Sequence, residues 1–184
     1  MLDARSSVRE LAPLTTEALG ELLWHGARTR ATSAHAPFWQ HRAAASAGGL
    51  HPLEVVLLRR DTPGALRYDP IRHGLDELCD VDHDELDRAR RKLDDVIPSS
   101  TGDVVVFLAD LSRVEAAYEN ARSLVWRDAG SLLTTLHLVA TALGLGMCQL
   151  GVLGHAVASA LSLPPNFEAV GAATVGFARR TESP

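Results

Sequence analysis

Residues 45–55 read Ala45-Ser46-Ala47-Gly48-Gly49-Leu50-His51-Pro52-Leu53-Glu54-Val55, a run of small side chains that passes directly into a strand. Small residues let a backbone approach a flat ring closely, and the same composition also suits an ordinary flexible loop. From Glu54 to Arg59 the chain is rich in Val and Leu and reads as a buried strand. After the turn Asp61-Thr62-Pro63-Gly64, Leu66-Arg67-Tyr68 reads as its hairpin partner. Towards the N-terminus, Thr15 or Thr16 can cap a helix in which Leu19, Leu22 and Leu23 share one face and Gly26 lies near the end. In the other direction, Asp82 and Glu85 resemble a capping box ahead of Leu86, Ala89, Leu93 and Val96 at helical spacing. Asp103 to Ala109 predicts a second central strand, and Arg127 to Leu143 a helix with a wide apolar stripe that Gly144 ends. A strand near Met147 to Leu150 follows, then a short helix through Ala156, Val157, Ala160 and Leu161, stopped by Pro164-Pro165. Val170 to Phe177 gives a last strand. The sum is an α+β fold, a small mixed or antiparallel sheet packed with helices.

The 184 residues are 46% hydrophobic and 22% charged, which is ordinary globular composition and predicts one domain over residues 1–184. A formal charge of −5 argues against a general nucleic-acid binder. Of the basic residues all but Lys92 are arginines. Cys79 and Cys148 cannot build a disulfide framework, and Met1-Leu2-Asp3-Ala4-Arg5 leads into no apolar signal region. The longest apolar run, Val104 to Ala109, is far short of the ~20 residues that span a bilayer. The expectation is a cytoplasmic protein with neither membrane nor nucleic acid as partner.

Several segments can carry chemistry. Arg5-Ser6-Ser7-Val8-Arg9 places two guanidinium groups and two hydroxyls together, a set able to grip a phosphate or simply to form a solvated arm. Gly144-Leu145-Gly146-Met147-Cys148-Gln149-Leu150-Gly151 reads as a helix cap followed by a strand. Arg179-Arg180 either adds phosphate contacts or frays as a basic tail. His73, Cys79, Asp80, Asp82, His83 and Asp84 are metal-capable, but their spacing matches no standard zinc pattern and no metal is expected. His137, beside the helix stripe, reads as a satisfied and partly buried histidine. Cys148 reads as a buried structural thiol; Trp24, Trp39 and Trp126 could stack on a ring, though isolated aromatics are more often core.

Taken together, the order and spacing of these segments resemble the nitroreductase family of flavoproteins, and most closely its azoline dehydrogenase branch, which acts on thiazoline and oxazoline rings in peptide natural products. The likeness covers nearly the whole chain. Its most specific part is Ser46 to Val55; Asp128-Ala129-Gly130 followed by Gly144-Leu145-Gly146 repeats the branch's helix and turn. The resemblance implies FMN as cofactor. Arg5, Ser6, Ser7 and Arg9 would hold its phosphate, and Ser46, Ala47 and Gly48 would line the flavin from the opposite protomer of a homodimer. Gln149, Leu150 and Gly151 would lie along the ring with backbone N–H groups aimed at its reactive edge. Tyr118 matches the tyrosine of the branch's active-site Lys-Tyr pair and would be catalytic, while Ala116-Ala117 precede it here and no lysine is near. Ala45 stands where the branch usually has proline, and Ser131 and Thr134-Thr135 where it commonly has His and a Gln-Asn pair. The implied activity is an FMN-dependent dehydrogenase acting on azoline-type rings in a small-molecule or peptide substrate. The alternatives are an NAD(P)H-dependent nitro or quinone reductase and a catalytically silent partner of a related subunit.

Overall fold

The apolar run Val104 to Ala109 lies at the centre of the sheet and is buried throughout, as unbroken Val and Leu require of a strand covered on both faces. The computed structural model describes residues 2–35 and 38–179, so Arg180 lies outside the described residues. In chain order the elements are β1 (Leu11–Ala12), α1 (Thr16–Gly26), β2 (Ala31–Thr32), β3 (Gln40–His41), β4 (Leu53–Leu58), β5 (Leu66–Asp69) and β6 (Gly74–Glu77). There follow α2 (His83–Val96), β7 (Asp103–Asp110), α3 (Leu111–Glu115), α4 (Ala121–Ala142), β8 (Gly146–Gln149), α5 (His155–Ala160) and β9 (Phe167–Ala178).

Every pairing among the described residues is antiparallel. The sheet runs β6-β5-β4-β7-β9, with β8 and β1 also paired to β9, while β2 and β3 form a separate ribbon. It has seven strands and is larger than expected, because β9 extends over 12 residues and takes three partners. The alternation of side chains along a strand then divides the core. Val55, Leu57, Val105 and Phe107 face α1 and α4, whereas Val56, Leu58, Val104 and Val106 face α2 and α5.

Caps fall where the sequence predicts them. Thr15 Oγ1 accepts the Ala18 N–H, and the Asp82 carboxylate accepts the Glu85 N–H. Helix α4 begins at Ala121, six residues before the expected Arg127, since its first turns carry Arg122, Ser123 and Trp126 outward and bury only Ala121 and Val125. The one-turn α3 and the polar β6 are too short or too hydrophilic to give a periodic signal. Trp24, Trp39 and Trp126 are 41%, 43% and 42% exposed, so none is a core aromatic. Trp24 instead carries Arg28 over its ring at 3.7 Å. Val96 is likewise turned outward.

The N-terminal segment is seated beside β8 by one close approach. Val8 N–H donates to the Met147 carbonyl at 3.1 Å, and a Cβ at Gly146 would lie 2.5 Å from Leu11 Cδ2 and 3.0 Å from Val8 Cβ. Glycine at 146 is therefore what lets the arm lie flat. Gly146→Ala should destabilise the fold by about 1–3 kcal/mol in urea denaturation and expose Arg5 and Arg9 to faster tryptic cleavage. Unchanged stability and cleavage would show that the arm is not held at this point.

Candidate functional site

Two buried polar residues on α4 each hold a loop. Asp128 accepts the Ser46 hydroxyl on Oδ2 at 2.5 Å and the Ala47 N–H on Oδ1 at 3.2 Å, and Ser46 Oγ in turn accepts the His51 N–H at 2.9 Å. A single 3-10 turn, Ala47–Gly49, closes between these contacts. Gly48 and Gly49 have φ of 58° and 66°, and His51 has φ of 45°. The left-handed region explains the two glycines. The Ser46 donor is used on Asp128, so this side chain positions the loop, while half-buried Ala47 and exposed Gly48 form its outer face.

Tyr118 meets this loop from 70 residues away. A Cβ on Gly48 would sit 2.8 Å from Tyr118 Oη, so the phenol rests against the glycine's bare backbone. The tyrosine lies in the turn between α3 and α4, its N–H bonded to the Val114 carbonyl at 2.9 Å, and is 39% exposed rather than packed in the core. Arg122, four residues on, pairs with Glu168 at 3.2 Å. His51 is buried within the loop. Burial, then the charge of Arg42, push its imidazole down to about 4, so it is neutral at pH 7.

His137, 2% exposed, does for the N-terminal arm what Asp128 does for the Ser46 loop. Its Nε2 lies 3.0 Å from the Ser6 carbonyl, and because a carbonyl only accepts, Nε2 carries the proton and donates. With Val8 on Met147, the arm's backbone is fixed on both sides of Ser7. Arg5, Ser6, Ser7 and Arg9 are all exposed, and among the described residues neither arginine enters an ion pair. A fixed backbone carrying open guanidinium groups and hydroxyls suits a phosphate end group, since the ordering is done before binding.

Gln149 ends β8, with Leu150 and Gly151 just beyond it; Gln149 and Gly151 are exposed and Leu150 is half-buried. The Leu150 N–H donates to the Ala172 carbonyl at 2.9 Å, continuing the sheet. It is therefore not a donor for a ring edge, contrary to expectation. Arg179 does not fray: its N–H bonds the Glu10 carbonyl at 2.9 Å and its Nη2 bonds Thr101 Oγ1 at 2.6 Å. Cys148 is buried, as the sequence suggests, and Cys79 is exposed.

The expected site residues thus gather in two places. Arg5 to Arg9 lie along β8, and Ser46, Ala47 and Gly48 lie with Tyr118. Nine residues of α4 separate His137 from Asp128, roughly 13.5 Å along the axis and about half a turn around it, so the two groups lie on opposite sides of one helix. The sequence marked Asp128 only as part of a motif and His137 only as satisfied. Their common signal is a polar residue set among the buried positions of an apolar helix. Among the described residues no group of three His, Cys, Asp or Glu side chains could hold a metal, and no helix is long and apolar enough to cross a membrane.

Residues 2–177 match the model of the nitroreductase family. No curated protein matches the sequence. Among solved structures, a candidate nitroreductase from Ralstonia eutropha is 22% identical with a TM-score of 0.73, over 97% of this chain and 81% of that one. A chain of the Escherichia coli microcin synthetase McbBCD complex, with truncated pro-MccB17 bound, is 17% identical with a TM-score of 0.73, over 96% and 70%. A candidate nitroreductase from Desulfovibrio desulfuricans in complex with FMN is 21% identical with a TM-score of 0.63, over 100% and 87%. At these identities the likeness is one of fold.

The position of His51 has a consequence for stability. Its folded value of about 4 lies below the unfolded value of about 6.5, so the unfolded chain binds the extra proton between them. Stability should fall as pH drops from 6.5 towards 4, by at most roughly 3 kcal/mol from this group, and should not change through it above pH 7. His51→Asn tolerates the left-handed backbone and cannot titrate there. Urea denaturation at pH 7 and pH 4 should show a smaller loss in this variant than in the parent; equal losses would place the sensitive group elsewhere.

Proposed function

The chain belongs to the nitroreductase family, and we propose that it is an FMN-dependent oxidoreductase whose site is completed by a second chain, a copy of itself or a related subunit. The observation that carries this reading is the arm. Arg5, Ser6, Ser7 and Arg9 present phosphate donors from a backbone held by His137 and Met147, and Gln149 and Gly151 flank the same edge. Ala47 and Gly48 would offer a small, flat backbone surface to the flavin ring. They lie on the opposite side of α4 from the arm, which supports a site that joins the arm of one chain to the Ser46 loop of another.

FMN, when bound, supplies hydride acceptance or donation. The chain's own contribution to a dehydrogenation is proton removal beside the ring carbon that loses hydride, and Tyr118 Oη against Gly48 is the group for it. The Ser46 to Val55 segment favours azoline-type rings, in a small molecule or a peptide, as the substrate, and molecular oxygen would then take up the electrons. The fold likeness to a chain of the microcin synthetase complex is compatible with work beside a related subunit. One observation favours a second reading, a reductase of nitro compounds or quinones fed by NAD(P)H. Ala116 and Ala117 leave Tyr118 without an adjacent lysine, and a reduction whose protons come from water needs no such base. A silent partner subunit is the reading left if no flavin binds.

Protein purified without added cofactor should show a flavin spectrum or acquire one with FMN, and should sediment at twice the chain mass or more. Arg9→Ala should weaken FMN binding by about tenfold to a hundredfold, the cost of one charged contact. A colourless protein that takes up no FMN at high micromolar concentration overturns the cofactor, and a tight FMN-bound monomer overturns the shared site.

Tyr118→Phe should keep the flavin content and melting temperature while lowering azoline oxidation by ~10²-fold or more. Normal turnover in this variant would move proton removal to another group and favour the reductase, which hydride transfer from NAD(P)H to the bound flavin would then report directly.

A further inference from the structure

Beyond the Ser46 loop, β4 and β5 part company. β7 pairs with all six residues of β4, but β5 pairs with only two, Val56 and Leu57. Leu53 to Val55 and Tyr68 to Pro70 then diverge and leave a cleft of about 260 Å³. Arg42 forms part of its wall, as do Arg67 and Arg113.

Glu54, Asp69 and Asp76 line it too, so its charges are equal in number, but those three carboxylates are already engaged. Asp69 and Asp76 are both taken up by Arg72, at 3.7 and 3.4 Å, and Asp69 also accepts the Ile71 and Arg72 N–H groups. Glu54 is shared between Arg67 and Arg113, at 3.9 Å from each, and Arg113 has Asp110 besides at 3.1 Å. Among the described residues Arg42 has no carboxylate partner within 4 Å. Its Nε, at 2.9 Å, and its Nη2 both donate to Gln40 Oε1, a neutral oxygen that also accepts the Thr29 hydroxyl at 3.1 Å. The same Nε and Nη2 fork closes on a carboxylate elsewhere in the molecule, where Arg59 grips Asp61 with both nitrogens at 2.9 Å. Burial, then the nearby Arg113, push Arg42 down to about 10, against an opposing pull from Tyr68 and Glu54.

We propose that this cleft binds a single carboxylate on Arg42, with Arg67 and Arg113 at its rim, the occupant being a small organic acid or the C-terminal carboxylate of a short peptide. The volume lies just below the range at which ligand pockets usually begin, so the occupant is small. The cleft adjoins the hollow under the Ser46 loop through Arg42 and Leu53, but none of the residues assigned to FMN lines it.

Calorimetric titration of the full chain tests this with hippurate and its amide, and with acetyl-Ala-Ala as free acid and as amide. At least one acid should bind at low salt at least tenfold more tightly than its amide, and whichever acid binds more tightly identifies the source. Arg42→Gln should weaken that acid by about tenfold to a hundredfold, whereas Glu54→Gln, by freeing Arg67 and Arg113, should tighten it threefold or more. Arg9→Ala and saturating FMN should leave the affinity unchanged. Equal binding of acid and amide overturns the proposal, as does an unaltered affinity in Arg42→Gln or in Glu54→Gln. Loss of binding with FMN or in Arg9→Ala would assign the carboxylate to the flavin site instead. Should Arg42→Gln fail to fold, the acid-to-amide ratio in the parent and the sign of the Glu54→Gln effect decide the matter.

Discussion

The Asp128 carboxylate, 7% exposed on the long helix α4, is the constraint around which the Ser46 loop is built. A charge withdrawn from water destabilises the fold by several kcal/mol unless hydrogen bonds replace its hydration. Here the Ser46 hydroxyl and the Ala47 N–H supply that replacement from a single loop. The loop satisfies the carboxylate with Gly48 and Gly49 left-handed and Ser46 Oγ turned to receive the His51 N–H. Gly48 consequently has no room for a Cβ, because Tyr118 Oη occupies that space. Helix, loop and phenol are in this way a single geometric problem with one buried charge at its centre.

The same helix solves a milder version of the problem with His137. The imidazole needs an acceptor for its Nε2 proton, and the Ser6 carbonyl provides it. The arm needs a second restraint as a result, and obtains it from the sheet, where Val8 bonds to Met147 over the bare backbone of Gly146. The antiparallel sheet makes this possible. By running 12 residues, β9 holds β7 for most of its length and still offers positions to β8 and β1, which carry the strand next to the arm and the arm's continuation.

Much of this was legible in the sequence, and the part that was not has a physical pattern. Strands β4, β7, β8 and β9 and helices α1, α2 and α5 follow from runs and periodicities of apolar residues, and Thr15 and Asp82 cap where their chemistry suggests. Gly74 to Glu77 pairs with β5 although its sequence is half acidic, because at the end of the sheet backbone bonds need the support of a single apolar residue, Leu75. In the site, residue types were visible but not their employment. Leu150 gives its N–H to the sheet and Ser46 its proton to Asp128, and neither use leaves a mark on local sequence, since each partner is more than twenty residues away. The tryptophans mislead for the opposite reason. Ring size suggested burial, whereas Trp24 stays at the surface beneath Arg28.

Arginine usage ties the two halves of the molecule together. Where an arginine of this chain is withdrawn from water it generally has an evident partner. Arg59 holds Asp61 at 2.9 Å, Arg60 grips Asp94, Arg28 lies on Trp24, and Arg90 donates to the carbonyls of Arg59, Thr62, Pro63 and Gly64, binding the turn between β4 and β5 to α2. Those contacts are internal, with only the buried Arg90 Nε left without a partner among the described residues, and they hold the β4 to β5 connection at its turn. At the other end of the same hairpin the strands separate, and there Arg42 is half-buried with only an amide oxygen in its fork. Arg5 and Arg9 are likewise without carboxylates, but they lie in water, where an unpaired guanidinium costs little. The arm's open charges therefore cost little before a ligand arrives, while desolvation at Arg42 leaves a deficit that a bound anion would remove.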